Sequence, residues 1–138
     1  MANSLKLGSE SPNPLNLTSF ITVATGGSGE GGDVTINVSG KLEIAGNGLI
    51  SAATARTGDA GSITLDAGSV VIGGGGRINA ETTGRGTAED KAGNAGDITL
   101  HADSVEIRTG GTISTNSLLG QVYGGNAGNI ACTASRAP

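Results

Sequence analysis

The sequence predicts an all-β fold, a parallel β-solenoid of about four to five coils with three short strands in each, and three observations carry that expectation. First, the segments GGDVTINVSGKLEIAGNGLISA, AGSITLDAGSVVIGGGGRINA and AGDITLHADSVEIRTGGTIST align with their apolar residues in register, and a further copy, AGNIACTA, begins at Ala127. Second, apolar residues alternate within each copy. Val34, Ile36 and Val38 are followed by Leu42 and Ile44 and then by Ile50 and Ala52, which is the two-residue period of a strand and not helical spacing. Third, glycine punctuates the copies at matching places, with Gly32, Gly61, Gly96 and Gly128 before the first strand and Gly48, Gly76 and Gly111 before the third. A turn of positive φ is expected at both sets. Strands this short bury their inward side only if each copy forms one coil and pairs in parallel with its neighbours.

The chain reads as a single solenoid segment, residues 1–138, in five pieces. Residues 1–31 form an irregular first coil, in which Leu5, Leu7, Leu15, Ile21 and Val23 lie 29 residues before Val34, Ile36, Ile44, Ile50 and Ala52. Pro12 and Pro14 flank Asn13 where Leu42 would stand, and proline belongs at sheet edges. Residues 32–60, 61–95 and 96–127 are regular coils. Their first anchors, Val34, Ile63, Ile98 and then Ile130, are 29, 35 and 32 residues apart, yet the stretch from each anchor to Ile50, Ile78 or Ile113 is 16, 15 and 15. The irregularity therefore sits in the loop that follows each third strand. Residues 128–138 are a truncated coil that places Cys132 in the column of Ile36, Leu65 and Leu100, where it reads as a small core residue. Thr35, Thr64 and Thr99 read as an outward ladder. An open parallel edge at either end invites end-to-end self-association with another chain.

Composition limits what such a chain does. Gly, Thr, Ser and Asn supply 64 of 138 residues, and one Phe, one Tyr and no Trp leave only a thin aliphatic core. Eight basic against twelve acidic residues give a net charge of −4, which disfavours nucleic acid as a partner. One cysteine and one histidine are too few for a disulfide framework or a zinc site. No run of about 18 apolar residues occurs, so the chain is read as not transmembrane, and its first residues do not read as a secretory signal.

Chemical candidates are thin. Asp66 and His101 occupy one outward position in successive coils, after Asn37, and read as a solvated cross-strand pair. Asp33 and Asp97 recur at one corner; Ser62 and Asn129 replace them in the other copies and the spacing is far from nine residues, so corner hydrogen bonding is expected and calcium is not. The glycine runs lack the Gly-Lys-Ser/Thr ending of a phosphate loop. No catalytic residue, cofactor or metal is expected. The insert TTGRGTAEDKAGNAG, with Arg85, Glu89, Asp90 and Lys91, is the longest and most charged loop and the place where a ligand contact would be displayed, although a hydrated loop also tolerates such length without function.

The pattern G-x-A-G-[DNS]-I-T-[IL], followed by V-x-I, G-x-I and a Gly/Thr-rich loop, is carried by segments such as AGDITLHADSVEI and GNAGNI over about Gly26 to Cys132. It resembles the repeat shaft of filamentous-haemagglutinin-like exoproteins of the two-partner secretion family, in particular the Gly- and Asn-rich cyanobacterial versions. The resemblance implies a right-handed single-stranded parallel β-helix, secretion or display at the cell surface, and adhesion to a host-cell or matrix glycan or protein through a longer parent. The family's signal peptide and secretion domain are not matched, so the expectation is a structural shaft fragment without catalytic activity, with a non-exported fragment as the other possibility. Two alternatives stand beside it: a carbohydrate-binding module that uses the variable loops, and a polysaccharide-lyase-like enzyme.

Overall fold

The alternating apolar segments become strands, and the chain is all-β. The computed structural model describes residues 5–7, 20–26, 29–55, 57–83, 93–117 and 125–134. Their regular structure consists of β1 (Leu5–Leu7), β2 (Phe20–Thr25), β3 (Val34–Ile44), β4 (Leu49–Thr54), β5 (Ile63–Ile72), β6 (Arg77–Asn79), β7 (Ile98–Ile107), β8 (Thr112–Ser114) and β9 (Ile130–Ala134). Successive strands alternate between two parallel sheets, one ordered β1-β3-β5-β7-β9 and the other β2-β4-β6-β8.

The register follows the repeat. Val34 pairs with Ile63, Ile63 with Ile98 and Ile98 with Ile130, and the columns headed by Ile36, Val38, Leu42 and Ile44 stack the same way. In the second sheet Ile50 pairs with Ile78, which pairs with Ile113. The outward ladder Thr35, Thr64, Thr99 is also in register. Inward residues of both sheets meet in a single apolar cluster in which Leu42, Ile44, Ile50, Ile63, Leu65, Ile72, Ile78, Ile98 and Leu100 are fully buried. Burying one such side chain contributes about 1.5–3 kcal/mol, so this column stack is the main source of stability.

Four expectations are revised. The first and second short strands of each copy are one strand, because the chain stays extended through Val38–Leu42, Ala67–Val70 and Ala102–Val105. A register shift between Val38 and Lys41 sets Ser39 and Gly40 opposite the single Gly68, which is why the first copy spans one residue more than the other two. Leu5 and Leu7 do not stack on Val34 and Ile36: they pair with Leu42 and Ile44, whereas Ile21 and Val23 pair with Ile50 and Ala52 as the spacing predicts. Leu15 and the Pro12–Pro14 segment lie outside the described residues.

The corner glycines are needed for proximity and not for positive φ, which occurs instead at Gly46, Asn47, Gly74, Gly75 and Gly110. A Cβ on Gly61 would collide with the carbonyl of Gly32, one on Gly96 with that of Gly61, and one on Gly128 with that of Gly96. Gly48, Gly76 and Gly111 press in the same way on the carbonyls of Leu7, Ile44 and Ile72. Finally, Cys132 does pair with Leu100, but it is exposed because β9 is an edge strand with nothing described beyond it.

Candidate functional site

Between the end of one second-sheet strand and the start of the next first-sheet strand the backbone leaves the ladders and must find other partners for its N–H and C=O groups. Short polar side chains supply them. Asp33 Oδ1 accepts the N–H of Ser62 at 2.8 Å and Asp97 Oδ1 that of Asn129 at 2.7 Å, the corner hydrogen bonding expected of these aspartates. A parallel series runs three residues earlier, where Asp59 Oδ1 accepts the N–H of Asn94 at 2.7 Å and Asn94 Oδ1 that of Asn126 at 2.9 Å. In the opposite sense Gly31 N donates to Asp59 O, Ala60 N to Asn94 O and Ala95 N to Asn126 O. Each corner thus exchanges hydrogen bonds with the next in both directions, the side-chain oxygen standing in for a missing backbone acceptor.

A column of hydroxyls closes the same corner from inside. Thr25 pairs with Thr54, Thr54 bridges to Thr82, and Thr82 bridges to Ser117. Thr25 Oγ1 donates to Glu30 O at 3.0 Å, Thr54 Oγ1 to Asp59 O at 3.1 Å, Thr82 Oγ1 to Asn94 O at 2.9 Å, and Ser117 Oγ to Gly93 O at 3.3 Å. Thr54, Thr82 and Ser117 are buried. Buried hydroxyls require such partners; Thr25, Thr54 and Thr82 find theirs in the connection that follows each of them, whereas Ser117 reaches back to the preceding connection. The column is inconspicuous in a sequence so rich in hydroxyl residues. Its signal is a hydroxyl residue four positions after Ile21, Ile50, Ile78 and Ile113.

Arg85, Glu89, Asp90 and Lys91, the expected ligand-contact residues, lie outside the described residues. The base from which their segment departs is described: Thr82 and Asn94 are joined across it, Thr82 N donates to Asn116 O, and Thr83 N donates to Thr54 O.

On the outward face of the first sheet, Asn37, Asp66, His101 and Thr133 form one in-register row, which places Asp66 beside His101 as expected. A hollow of about 260 Å³ there is lined by Asp66, Ala67, His101, Ala102, Asp103 and Thr133. Two ion pairs are described on the second half of this face, one between exposed side chains and one with a half-buried glutamate. Lys41 Nζ lies 2.8 Å from Glu43 Oε2, and Arg108 grips Glu106 through Nε to Oε1 at 2.9 Å and Nη2 to Oε2 at 3.1 Å. The Arg108 hydrogen bonds, and then its charge, hold the Glu106 carboxyl below the usual glutamate range. Among the described residues no group of three His, Cys, Asp or Glu side chains is placed to hold a metal ion. No described helix is long and apolar enough to cross a membrane.

No family model, curated protein or solved structure matches this chain. The described polar residues are thus to be read from their own geometry. Asp33, Asp59, Asn94 and Asp97 spend their acceptors on backbone N–H groups, and the hydroxyls spend their protons on backbone carbonyls. The carboxylates and amides fasten one repeat to the next, and the hydroxyls of Thr25, Thr54 and Thr82 brace the corner within a repeat.

Proposed function

We propose that the chain is a section of a single-stranded parallel β-helix that serves as a structural shaft, each repeat forming one coil. The observation that supports this most directly is the unbroken column Val34–Ile63–Ile98–Ile130, one residue from each of four successive repeats, in register on parallel strands. Adjacent parallel strands lie about 4.8 Å apart, so each repeat adds that length to the rod. Parallel strand–crossover–strand connections within one sheet are right-handed in about 98% of cases, which favours the right-handed coil implied by the family resemblance.

The mechanism is mechanical. Aliphatic columns hold the coils together, corner side chains lock their order, and the rod sets the distance between whatever lies at its two ends. Extending the resemblance, the shaft belongs to a surface or secreted filamentous-haemagglutinin-like adhesin of a bacterium, and adhesion resides in the parent protein.

A second reading, a glycan-binding module, draws support from one feature: the Thr82–Asn94 hydrogen bond gives the segment that carries Arg85, Glu89, Asp90 and Lys91 a rigid base from which to present contacts. Deleting residues 85–91 separates the two readings. A shaft keeps its far-UV circular dichroism and its profile on a glycan array. A glycan-binding module keeps its fold and loses its bound glycans, and that result would displace the shaft reading.

A further inference from the structure

β6, an inner strand of the second sheet, turns Arg77 and Asn79 outward, because Ile78 between them and Ala80 after them are fully buried. Arg77 is in register with Leu49 on one side and Thr112 on the other, and Asn79 with Ser51 and Ser114. Those neighbours leave both polar side chains without a partner. Among the described lysine and arginine side chains, Lys41 and Arg108 each hold a glutamate, whereas no hydrogen bond or ion pair engages that of Arg77. Asn79 Oδ1 is buried and receives no hydrogen bond. Ser114, the adjacent hydroxyl, is committed elsewhere: it donates to Glu81 Oε1 and accepts from Asn116 Nδ2 at 2.9 Å. A buried amide oxygen ordinarily has a donor, so this one lacks something.

Both side chains line one hollow of about 240 Å³, together with Asn47, Gly48, Leu49 and Gly75 from the turns that lead into β4 and β6. Asn47 and Gly75 take positive φ there, and Asn47 Oδ1 stands where a Cβ on Gly75 would be, so the Asn47 amide packs on bare backbone and forms one wall. The surrounding N–H groups are spent: Asn47 N on Gly74 O, Gly48 N on Ala45 O, Gly76 N on Gly73 O and Arg77 N on Gly48 O. An anion in this hollow is therefore held by the guanidinium and not by a nest of backbone amides.

We propose that the hollow binds a hydroxylated carboxylate, the chemistry shared by a uronic acid residue of a glycan and a small free hydroxy acid, with Arg77 on the carboxylate and the Asn79 amide on a hydroxyl. The inference goes beyond the shaft reading, which needs no ligand, and it uses no residue of the charged insert. The guanidinium fork matches a carboxylate, and a lone cation on a chain of net charge −4 suits a monoanion better than a phosphate dianion. Asn79 Oδ1 needs a donor, which a carboxylate lacks and a hydroxyl has. The terminal torsion of an asparagine is soft and two-fold, so turning the amide brings Oδ1 to the hollow. Residues two apart on a strand are separated by about 6.6 Å, within reach of one small molecule. Glu81, next on the same side, repels the anion and so directs the carboxylate to the Arg77 end. The hollow is smaller than the about 300–1,000 Å³ of drug-sized pockets, which limits the occupant to a single sugar-sized unit.

The test is a nitrogen–proton NMR titration of the nitrogen-15-labelled chain, read at Arg77 Nε–H and at the Asn79 side-chain amide, with D-glucuronate, L-lactate, D-glucose and acetate up to tens of millimolar. Glucuronate is expected to shift both signals saturably, at a concentration about tenfold below any effect of glucose, which lacks the carboxylate, or of acetate, which lacks the hydroxyl. Lactate equal to glucuronate would support the site as one for free hydroxy acids, and lactate weaker than glucuronate as one for an acidic sugar. Arg77→Lys keeps the charge and loses the fork, and should weaken glucuronate about tenfold. Asn79→Ala should bring glucuronate down to the level of acetate. The comparison of the four probes on the wild type decides the matter even where a variant disturbs the fold. No saturable shift at Arg77 and Asn79 with either hydroxy acid, or acetate as effective as glucuronate, overturns the inference and leaves the shaft reading intact.

Discussion

Thr82 Oγ1 donates to the carbonyl of Asn94 at 2.9 Å, joining two residues twelve apart in sequence across the base of the longest insertion. The equivalent hydroxyl of Thr54 reaches Asp59, only five residues on, at 3.1 Å. One contact therefore serves a short connection and a long one, and it explains how the repeats tolerate unequal spacing without losing register.

Replacing Thr82 by Val preserves its shape and removes the proton. Thr82 is 1% exposed, so the Asn94 carbonyl keeps the N–H of Ala60 but loses its second donor in a place water does not easily refill. The expected cost is that of one hydrogen bond, about 0.5–1.5 kcal/mol, read as a lower urea midpoint with an unchanged slope. Thr83→Val, at an exposed neighbour, should change little. Equal midpoints for the two variants would remove the hydroxyl column from the account.

Gly96 lies between Gly61 and Gly128 in the corner stack, and a Cβ there would meet the Gly61 carbonyl carbon and oxygen. Because the obstacle is backbone of the neighbouring repeat, Gly96→Ala is expected to cost about 1–3 kcal/mol or more, the range of an overpacked core. Gly26, whose added Cβ meets nothing within 4 Å, is the control. Thermal melts should separate the two alanine variants, and coincident curves would mean that the corners are less tightly stacked than described.

The columns were legible in the sequence because strand periodicity and repeat alignment report the same residues twice. Ile63, Leu65, Val70, Ile72 and Ile78 were placed by pattern alone, and each is buried. The N-terminal strand was misplaced for a reason of the same kind. A 29-residue offset assigns Leu5 and Leu7 to Val34 and Ile36, but an alternating pair of leucines fits either half of a long strand, and the pairing with Leu42 and Ile44 is set by the three-dimensional path. The corner glycines read as positive-φ positions but serve close approach, since a sequence shows that a side chain is missing without showing whether φ or a neighbouring carbonyl excludes it. Thr54 and Thr82 do not stand out in the sequence because hydroxyl residues are abundant in this composition. Only their burial distinguishes them.

Glu106 provides a pH prediction. Its carboxyl is held below the usual glutamate range, first by hydrogen bonds from Arg108 and then by that residue's charge. A lowered pKa in the folded chain contributes stability that is present above the unfolded-state value and is lost as pH falls through the folded one. Both side chains are on the surface, so the effect is small and screened by salt. The melting temperatures of wild type and Glu106→Gln should differ slightly near neutral pH in low salt, and converge on acidification or in high salt. A difference that grows with acid would assign the wrong sign to the pair.

Ile98 is the most informative core position, since it is fully buried and is stacked between Ile63 and Ile130 in the column that supports the proposed shaft. Aspartate there forfeits about 1.5–3 kcal/mol of apolar burial and sets a carboxylate among aliphatic side chains with no cation to meet it. In the first sheet β7 lies between β5 and β9, so its failure separates the strands on either side. Ile98→Asp should abolish the cooperative β-sheet melt at neutral pH. Ile107→Asp alters the same residue type on the same strand, but where it is 53% exposed, and should leave the melt nearly unchanged. If Ile98→Asp melts like the wild type, the inward columns are not the core of this chain and the stacked register fails with them.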